Sequence, residues 1–132
     1  MRLVVTGGRD YRDTERAFAA LDDLHARRPV TVVIEGEADG LDKRAKAWAR
    51  RRGIAVEPYP ATWDDVDHPA AVVRYRRDGK PYDANAGPRR NQQMIDDGRP
   101  DYGMVFPGGA GTADMRCRLV AAGVPFEEVD RA

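Results

Sequence analysis

The sequence is poor in cysteine, in lysine and in net charge. Its one cysteine, Cys117, cannot form an internal disulfide, and with only two histidines the chain has few ligands for a structural zinc site. We therefore expect a reducing, cytoplasmic compartment and no metal. The 22 basic residues, three of them lysine, are balanced by 22 acidic ones. A chain without net positive charge is a poor general nucleic-acid binder, which argues against nucleic acid as its partner.

Long apolar runs are also missing. The first apolar run, residues 3–5, is soon followed by Gly7 and Gly8, and it is too short for a signal peptide or a membrane span. No membrane partner is therefore expected. At 132 residues the chain is long enough to bury a core as one domain. We expect a single domain over residues 1–132, with no internal repeat.

What the sequence does contain is an alternation of short β-rich runs and helical patterns. Strands are predicted at residues 3–6, 30–35, 54–57, 102–106 and 125–129. Helices are predicted at about 14–27, 40–52, 88–97 and 112–122, the first of them capped by Asp13. Short unbroken apolar strands are typical of a parallel sheet covered on both faces. The pattern predicts an α/β fold, a Rossmann-like three-layer α/β/α domain with a mostly parallel five-stranded sheet.

Residues 61–87 interrupt this alternation. Within them, residues 72–82 contain an Asp78-Gly79 pair that predicts a small hairpin, although Pro81 disfavours a strand and a long ordered loop is the alternative. An insertion of this length in a compact domain is typical of a functional or mobile segment.

Three glycine-rich turns follow predicted strands, and parallel strands bring their carboxyl ends to one edge of a sheet. The turns are residues 6–10 (TGGRD), 35–42 (EGEADGLD) and 106–112 (FPGGAGT). Glycine permits close backbone approach, and the third turn opens a helix whose free amides favour phosphate. For each turn alone, a tight strand-to-helix connection is the alternative. Together they predict a crevice for a nucleotide-type phosphate, bound by Gly7, Gly8, Arg9, Gly36, Asp39, Gly40, Asp42, Gly108, Gly109, Gly111 and Thr112.

The turns also exclude two common nucleotide motifs. The first turn lacks the full GxGxxG spacing of a dinucleotide fingerprint, and the third lacks the lysine of a Walker loop. The sequence therefore supports neither a standard dinucleotide site nor an NTP-hydrolysing loop.

Charged and aromatic side chains add further candidates. Arg89 and Arg90 begin a predicted helix, where they oppose the helix dipole, so a contact to an anionic ligand is one explanation and solvated surface is the other. Trp63, Tyr75 and Tyr82 flank the insertion, where they either stack on a base or pack beneath the loop.

Acidic residues cluster at the second turn. Asp39 or Gly40 opens the following helix, and a helix cap is the expected role of Asp39. Asp42 is a candidate for contacting a ribose hydroxyl or for orienting Arg9 or Arg90, and Glu37 is a candidate acid or base.

These residues match a known family in order along nearly the whole chain. The matching motifs are TGGR at 6–9, GxADGxD at 36–42, WA at 48–49, AxW at 61–63, AGPxRNxxM at 86–94 and FPGGxGT at 106–112. The chain resembles the SLOG superfamily, which includes the Lonely-guy phosphoribohydrolases and the DNA-processing protein DprA/Smf. It is most similar to the compact YpsA-related SLOG group of bacterial and phage proteins.

The resemblance implies a Rossmann-like fold whose PGGxGT loop holds a nucleotide or nucleotide-derived phosphate. AMP, ADP-ribose and NAD-like molecules are the candidate ligands, Arg89 and Asn91 join the binding set, and a homo-oligomer is expected because relatives self-associate. In the Lonely-guy enzymes an arginine and a glutamate assist cleavage of an N-glycosidic bond. Arg90 matches the arginine, but Met115 stands at the glutamate position. Asp114 lies one residue earlier, about 100° around a helix, and would need a displaced helix start to substitute.

Three functional hypotheses follow from these patterns. The first is a nucleotide-binding domain that acts as a sensor or sequestering module. The second is a hydrolase that cleaves an N-glycosidic or phosphoester bond in a nucleotide, with Arg90, Asp114 and Glu37 as the candidate catalytic residues. The third is a DNA-associated protein similar to DprA, against which the balanced charge argues.

Overall fold

The apolar runs of the sequence form a parallel sheet with helices on both faces. The structure is a computed structural model that describes residues 1–130; residues 131 and 132 of the predicted domain lie outside the described part. Its strands are β1 Arg2–Thr6, β2 Val32–Glu35, β3 Ala55–Pro58, β4 Val73–Tyr75, β5 Pro81–Asp83, β6 Tyr102–Val105 and β7 Phe126–Glu128. Its helices are α1 Thr14–Arg27, α2 Leu41–Arg51, α3 Ala86–Asp96 and α4 Ala110–Ala122. The predicted Rossmann-like α/β fold is confirmed.

The order of the strands places a topological reversal at the centre of the sheet. Five parallel strands lie in the order β3-β2-β1-β6-β7. The chain therefore winds outward from β1 to β3 and then returns to β6 on the other side of β1. Open parallel sheets bind ligands at such a reversal, outside the carboxyl ends of the two strands concerned. The first and third glycine-rich turns leave β1 and β6 at this point.

Alternate side chains of the strands pack into two apolar cores. On one face, Leu3 and Val5 of β1 pack with buried residues of α1 and α2, among them the fully buried Trp48. On the other face, Val4 packs with α3 and α4, including Met115. Because successive strand residues point to opposite faces, one short apolar strand serves both cores. The two cores fix the helix starts that border the sheet edge.

The helix boundaries confirm one predicted cap and correct another. Asp13 caps α1 and accepts a hydrogen bond from the Arg16 amide at 3.1 Å. Asp39 does not cap α2, because the N-cap is Gly40, which makes no side-chain bond, and Asp39 forms an exposed pair with Lys43 at 2.6 Å. The prediction of an Asp39 cap was therefore wrong.

The insertion forms a short antiparallel hairpin that is anchored on α3. β4 and β5 pair with Val73 opposite Asp83, and Gly79 takes a φ of 84° in the turn between them. Asp83 is fully buried and accepts hydrogen bonds from the amides of Val72 and Asn85. It also pairs with Arg89 at 2.5 Å. The hairpin is thereby fastened to the first turn of α3.

Candidate functional site

The three glycine-rich turns meet at Gly8. Its N–H donates to the Pro107 carbonyl at 2.9 Å, and its own carbonyl accepts from the Leu41 amide at 3.1 Å. Neighbouring glycines allow this contact, since a Cβ on Gly40 would overlap the Gly8 carbonyl and one on Gly108 would lie 2.8 Å from the Gly8 nitrogen. The turns therefore form one continuous surface at the sheet edge.

A cleft of about 510 Å³ opens over this surface. That volume is typical of small-molecule sites, and the cleft lies at the reversal between β1 and β6 where ligands are expected. Ten predicted site residues line it: Gly7, Gly8, Arg9, Asp42, Arg90, Asn91, Gly109, Gly111, Thr112 and Asp114. The structure thus brings together residues that lie up to 107 positions apart in the sequence.

Two glycines at the cleft have no packing reason to be glycine. A Cβ on Gly7 would lie 2.6 Å from Leu41, so packing explains that residue. A Cβ on Gly109 or on Gly111 would meet nothing within 4 Å, and neither residue has a positive φ. Glycine in the first turn of a helix disfavours the helix, so Gly111 carries a cost that no contact among the described residues repays. Both residues leave open space beside the start of α4.

The start of α4 presents free backbone donors to this space. Its N-cap, Gly109, makes no side-chain cap, and its first turn contains no acidic residue. The Thr112 side chain packs against Gly108 and is largely buried, and its hydroxyl makes no hydrogen bond within residues 1–130. The first amides of a helix carry the positive end of its dipole. This end of the cleft is therefore suited to an anion.

Arg90 supplies a fixed positive charge to the same cleft. Its Nη1 donates to the carbonyls of Gly36 and, at 3.4 Å, Tyr59, while its Nε donates to Asn91 Oδ1 at 3.1 Å. Nη2 has no acceptor among the described residues. Burial lowers the pKa of Arg90 and the nearby Asp42 opposes this, so the guanidinium remains charged. A pinned guanidinium with a free edge is a ready partner for an anionic group.

Asp42 stabilises the second turn behind Arg90. Its side chain is 7 % exposed, and Oδ2 accepts hydrogen bonds from the amides of Gly36 at 3.2 Å and Ala38 at 3.3 Å. Burial raises the pKa of Asp42 to about 6, although the two amides and Arg90 act in the opposite direction. Asp42 is thus a carboxyl that changes its charge near neutral pH inside the cleft.

Asp114 is held by its neighbours. Asn91 Nδ2 donates to Asp114 Oδ2 at 3.0 Å and to the Gly111 carbonyl at 3.2 Å, and Arg118 Nε donates to the same carboxylate at 2.8 Å. Burial alone would raise the pKa of Asp114, but the hydrogen bonds from Arg118 and Asn91 lower it overall. A carboxylate that is ionised and accepts hydrogen bonds from two side chains is a poor general acid.

Met115 lies on the core side of α4. It is fully buried and packs against the α3 residues Met94 and Ile95. Asp114, one residue earlier, lies on the cleft side. The position at which the Lonely-guy enzymes carry their glutamate is therefore an apolar core position in this chain.

Six predicted site residues do not line the cleft. Gly40 and Gly108 join the turns beneath it, and Gly36 lies against Arg90, where a Cβ would be 2.5 Å from Nη1. Glu37 and Asp39 line a separate side groove of about 210 Å³. Arg89 points away from the cleft to Asp83.

Glu37 lines the side groove that adjoins the cleft and not the cleft itself. It pairs with Lys46 at 2.5 Å, and that hydrogen bond lowers the pKa of its carboxyl. Glu37 is therefore ionised and paired with Lys46, and its role as an acid or base stays a prediction. Arg89 and Asp39 are likewise paired, with Asp83 and Lys43 respectively, and their role in ligand binding also stays a prediction.

Two carboxyl groups near the cleft were missed from the sequence. Asp10 lines the cleft rim. Glu35 ends β2 and is fully buried; its Oε1 has no partner among the described residues, and burial raises the pKa of Glu35 to about 8. The signal for Glu35 was an acidic residue at the end of an otherwise apolar strand.

Two further observations concern metals and membranes. Residues 1–130 contain no group of three or more His, Cys, Asp or Glu side chains arranged to hold a metal ion. In the same part of the chain, no helix has the length and apolar character needed to cross a membrane.

A parallel sheet with a glycine-lined cleft at its reversal point defines a Rossmann-like α/β domain. Comparison with known proteins identifies the family within this fold class. The family model described as "YspA, cpYpsA-related SLOG family" matches residues 1–65. The gene 61 protein of Mycobacterium phage D29 is 31 % identical over 130 residues, covering 94 % of this chain and 92 % of that protein. The chain belongs to the YspA, cpYpsA-related SLOG family.

A solved structure supports the fold. The DNA processing protein A (DprA) from Streptococcus pneumoniae superposes with a TM-score of 0.71 at 17 % identity. The match covers 99 % of this chain but only 50 % of that one, so the chain spans half the length of this neighbour. At this identity the likeness concerns the fold alone.

Proposed function

We propose that the protein binds a nucleotide or nucleotide-derived phosphate in the cleft, as a sensor or sequestering domain. The observation that carries the proposal is the open space at Gly109 and Gly111, where glycine serves no packing need and where Gly111 weakens the first turn of α4. A phosphate that approaches the first-turn amides of α4 would explain why both positions are glycine. Membership of a SLOG family supports a nucleotide as the carrier of that phosphate.

Arg90 provides the second anchor for the anion. Arg90 lines the cleft, its Nη2 has no acceptor among the described residues, and the rest of the guanidinium is held by backbone carbonyls and by Asn91. Because Asn91 also bonds the Gly111 carbonyl, one side chain links the cation to the start of α4. Charge-assisted bonds from a preorganised guanidinium are among the stronger contacts to phosphate.

Calorimetric titration with AMP, ADP-ribose and NAD tests this proposal. We expect saturable binding of at least one of them, weakened about tenfold or more by Arg90→Gln, since a hydrogen bond to a charged group contributes about 1.5–3 kcal/mol. Arg116→Gln is the matched control: Arg116 lies on α4 near the third turn, but it is exposed and pairs with Glu128 at 2.6 Å. If no heat of binding is detected at millimolar ligand, and thermal unfolding shows that the protein is folded, the proposal is contradicted.

A second candidate function, hydrolysis of the nucleotide, is favoured by Asp42 alone. Its pKa of about 6 and its position beside Arg90 in the cleft are typical of a group that exchanges a proton near neutral pH. Incubation of the protein with AMP, followed by chromatography, separates the two functions. Release of adenine that Asp42→Asn abolishes establishes the hydrolase, and AMP recovered intact leaves binding as the function.

A further inference from the structure

Trp63 is a large aromatic side chain without a place in the cores. It belongs to neither apolar cluster and lies half-buried in the irregular segment before the hairpin. The far edge of its ring lies against Gly87 of α3, where a Cβ would be 2.8 Å from the ring. The ring lines both the cleft and the side groove, so it forms a wall between them. Packing in the apolar cores therefore does not account for its position.

Arg9 covers one face of this ring. Its guanidinium carbon lies 5.1 Å from the ring centroid, within the range of a cation–π contact. Arg9 is exposed, and its side chain forms no hydrogen bond or ion pair within residues 1–130. A cation with no carboxylate partner, stacked on an aromatic ring at a cleft rim, can move aside at little cost in contacts. The ring face is then available to a planar group.

We infer that Trp63 is the stacking platform for the base of the bound nucleotide, with Arg9 packing over the base or beside it. This inference rests on the proposed function, because the same cleft joins Trp63 to the open glycines at the start of α4. The phosphate is held by α4 and Arg90 and the base by Trp63, so the ligand class is a nucleoside phosphate rather than a sugar phosphate. Stacking tolerates any base, since every base has a π face.

Comparison of AMP with ribose 5-phosphate tests the platform, because the two differ only by the base. We expect AMP to bind the parent protein about tenfold more tightly than ribose 5-phosphate. Trp63→Leu removes most of that difference and leaves the affinity for ribose 5-phosphate unchanged. Trp63→Phe, which keeps a smaller ring and guards against misfolding, retains part of it. The ratio of the two affinities isolates the base from the phosphate.

Tryptophan fluorescence gives a second measurement. The chain has two tryptophans, and Trp48 is fully buried in the α1/α2 core, where its Nε1 donates to Asp22 at 2.8 Å. Only Trp63 faces the cleft, so AMP should quench emission in the parent protein and not in Trp63→Phe, while ribose 5-phosphate should quench neither.

The outcomes separate this inference from the proposal beneath it. If both compounds bind and Trp63→Leu weakens them equally, or leaves both unchanged, the platform is refuted and phosphate binding stands. If neither AMP nor ribose 5-phosphate binds the folded parent protein, phosphate binding fails and the platform fails with it. If the Trp63 variants lose affinity for AMP but not for ribose 5-phosphate, and also lose the quenching, both the platform and phosphate binding are supported.

Discussion

The substitution Gly111→Ala should make the protein more stable and its ligand weaker. Gly111 lies in the first turn of α4, a Cβ there meets nothing within 4 Å, and its φ is negative. Alanine therefore fits without strain and reduces the entropy of the unfolded chain. The expected gain is about 0.4–1 kcal/mol in the free energy of unfolding. The corresponding rise in the thermal midpoint is roughly 1–4 °C for a chain of this size.

The same methyl group occupies the space that we assign to the phosphate. Removal of one close approach to a helix start should weaken AMP binding at least tenfold, about 1.4 kcal/mol. Stability is measured by thermal and urea unfolding, and affinity by calorimetry of the same samples. A loss of affinity in a more stable protein excludes misfolding as its cause.

Gly53→Ala is the matched control for this experiment. Gly53 also has open space around its Cβ position, but it follows α2, away from the cleft, and has a φ of 69°. Alanine in this left-handed conformation should cost about 1 kcal/mol of stability and leave AMP affinity unchanged. If Gly111→Ala binds AMP as tightly as the parent protein, the reasoning that links the open glycines to a phosphate is refuted.

Three further predictions concern buried groups. The pKa of Glu35 is raised from 4.5 to about 8, so folding binds a proton between these two pH values. The free energy of unfolding should therefore fall as pH rises from about 5 to 8, by at most about 1.4 kcal/mol per pH unit from this group. Glu35→Gln should flatten that slope in urea unfolding, and an unchanged slope contradicts the assignment. Met115→Glu should cost more than about 3 kcal/mol and release no adenine from AMP, because the position is in the core; a stable, hydrolytic variant would show otherwise. Asp83→Asn should speed amide exchange in the hairpin while α1 stays protected, and uniform exchange across both would disprove its anchoring role.

The elements of the central sheet could be predicted because local patterns determine them. Apolar runs such as residues 3–6 allow few structures other than a buried strand, and the helical spacing on α1 and α2 indicates one buried face. The boundaries were less certain, since they depend on contacts between distant residues. α2 begins after Gly40 because Gly40 lies against Gly8, and no pattern near Asp39 reveals that contact.

The site was predictable to the extent that it lies on backbone turns. Glycines after strands indicated the sheet edge, and the fold brought them together at Gly8. The roles of the side chains were harder to predict, because they depend on which charged groups form ion pairs in the folded protein. Arg89 and Arg90 are adjacent in sequence, yet one pairs with Asp83 of the hairpin and the other points to the cleft. The ion pair between Arg89 and Asp83 of the insertion is what gives the two arginines different roles.

The most direct test of phosphate binding at α4 is an amide chemical-shift titration of the folded protein with AMP. The amides of Gly109, Ala110, Gly111 and Thr112 should shift first and furthest, because they face the open end of the cleft. The shifts should saturate at the same concentration as the calorimetric heat. Saturable shifts confined to the hairpin or to residues 10–16, with the start of α4 unmoved, would contradict the account.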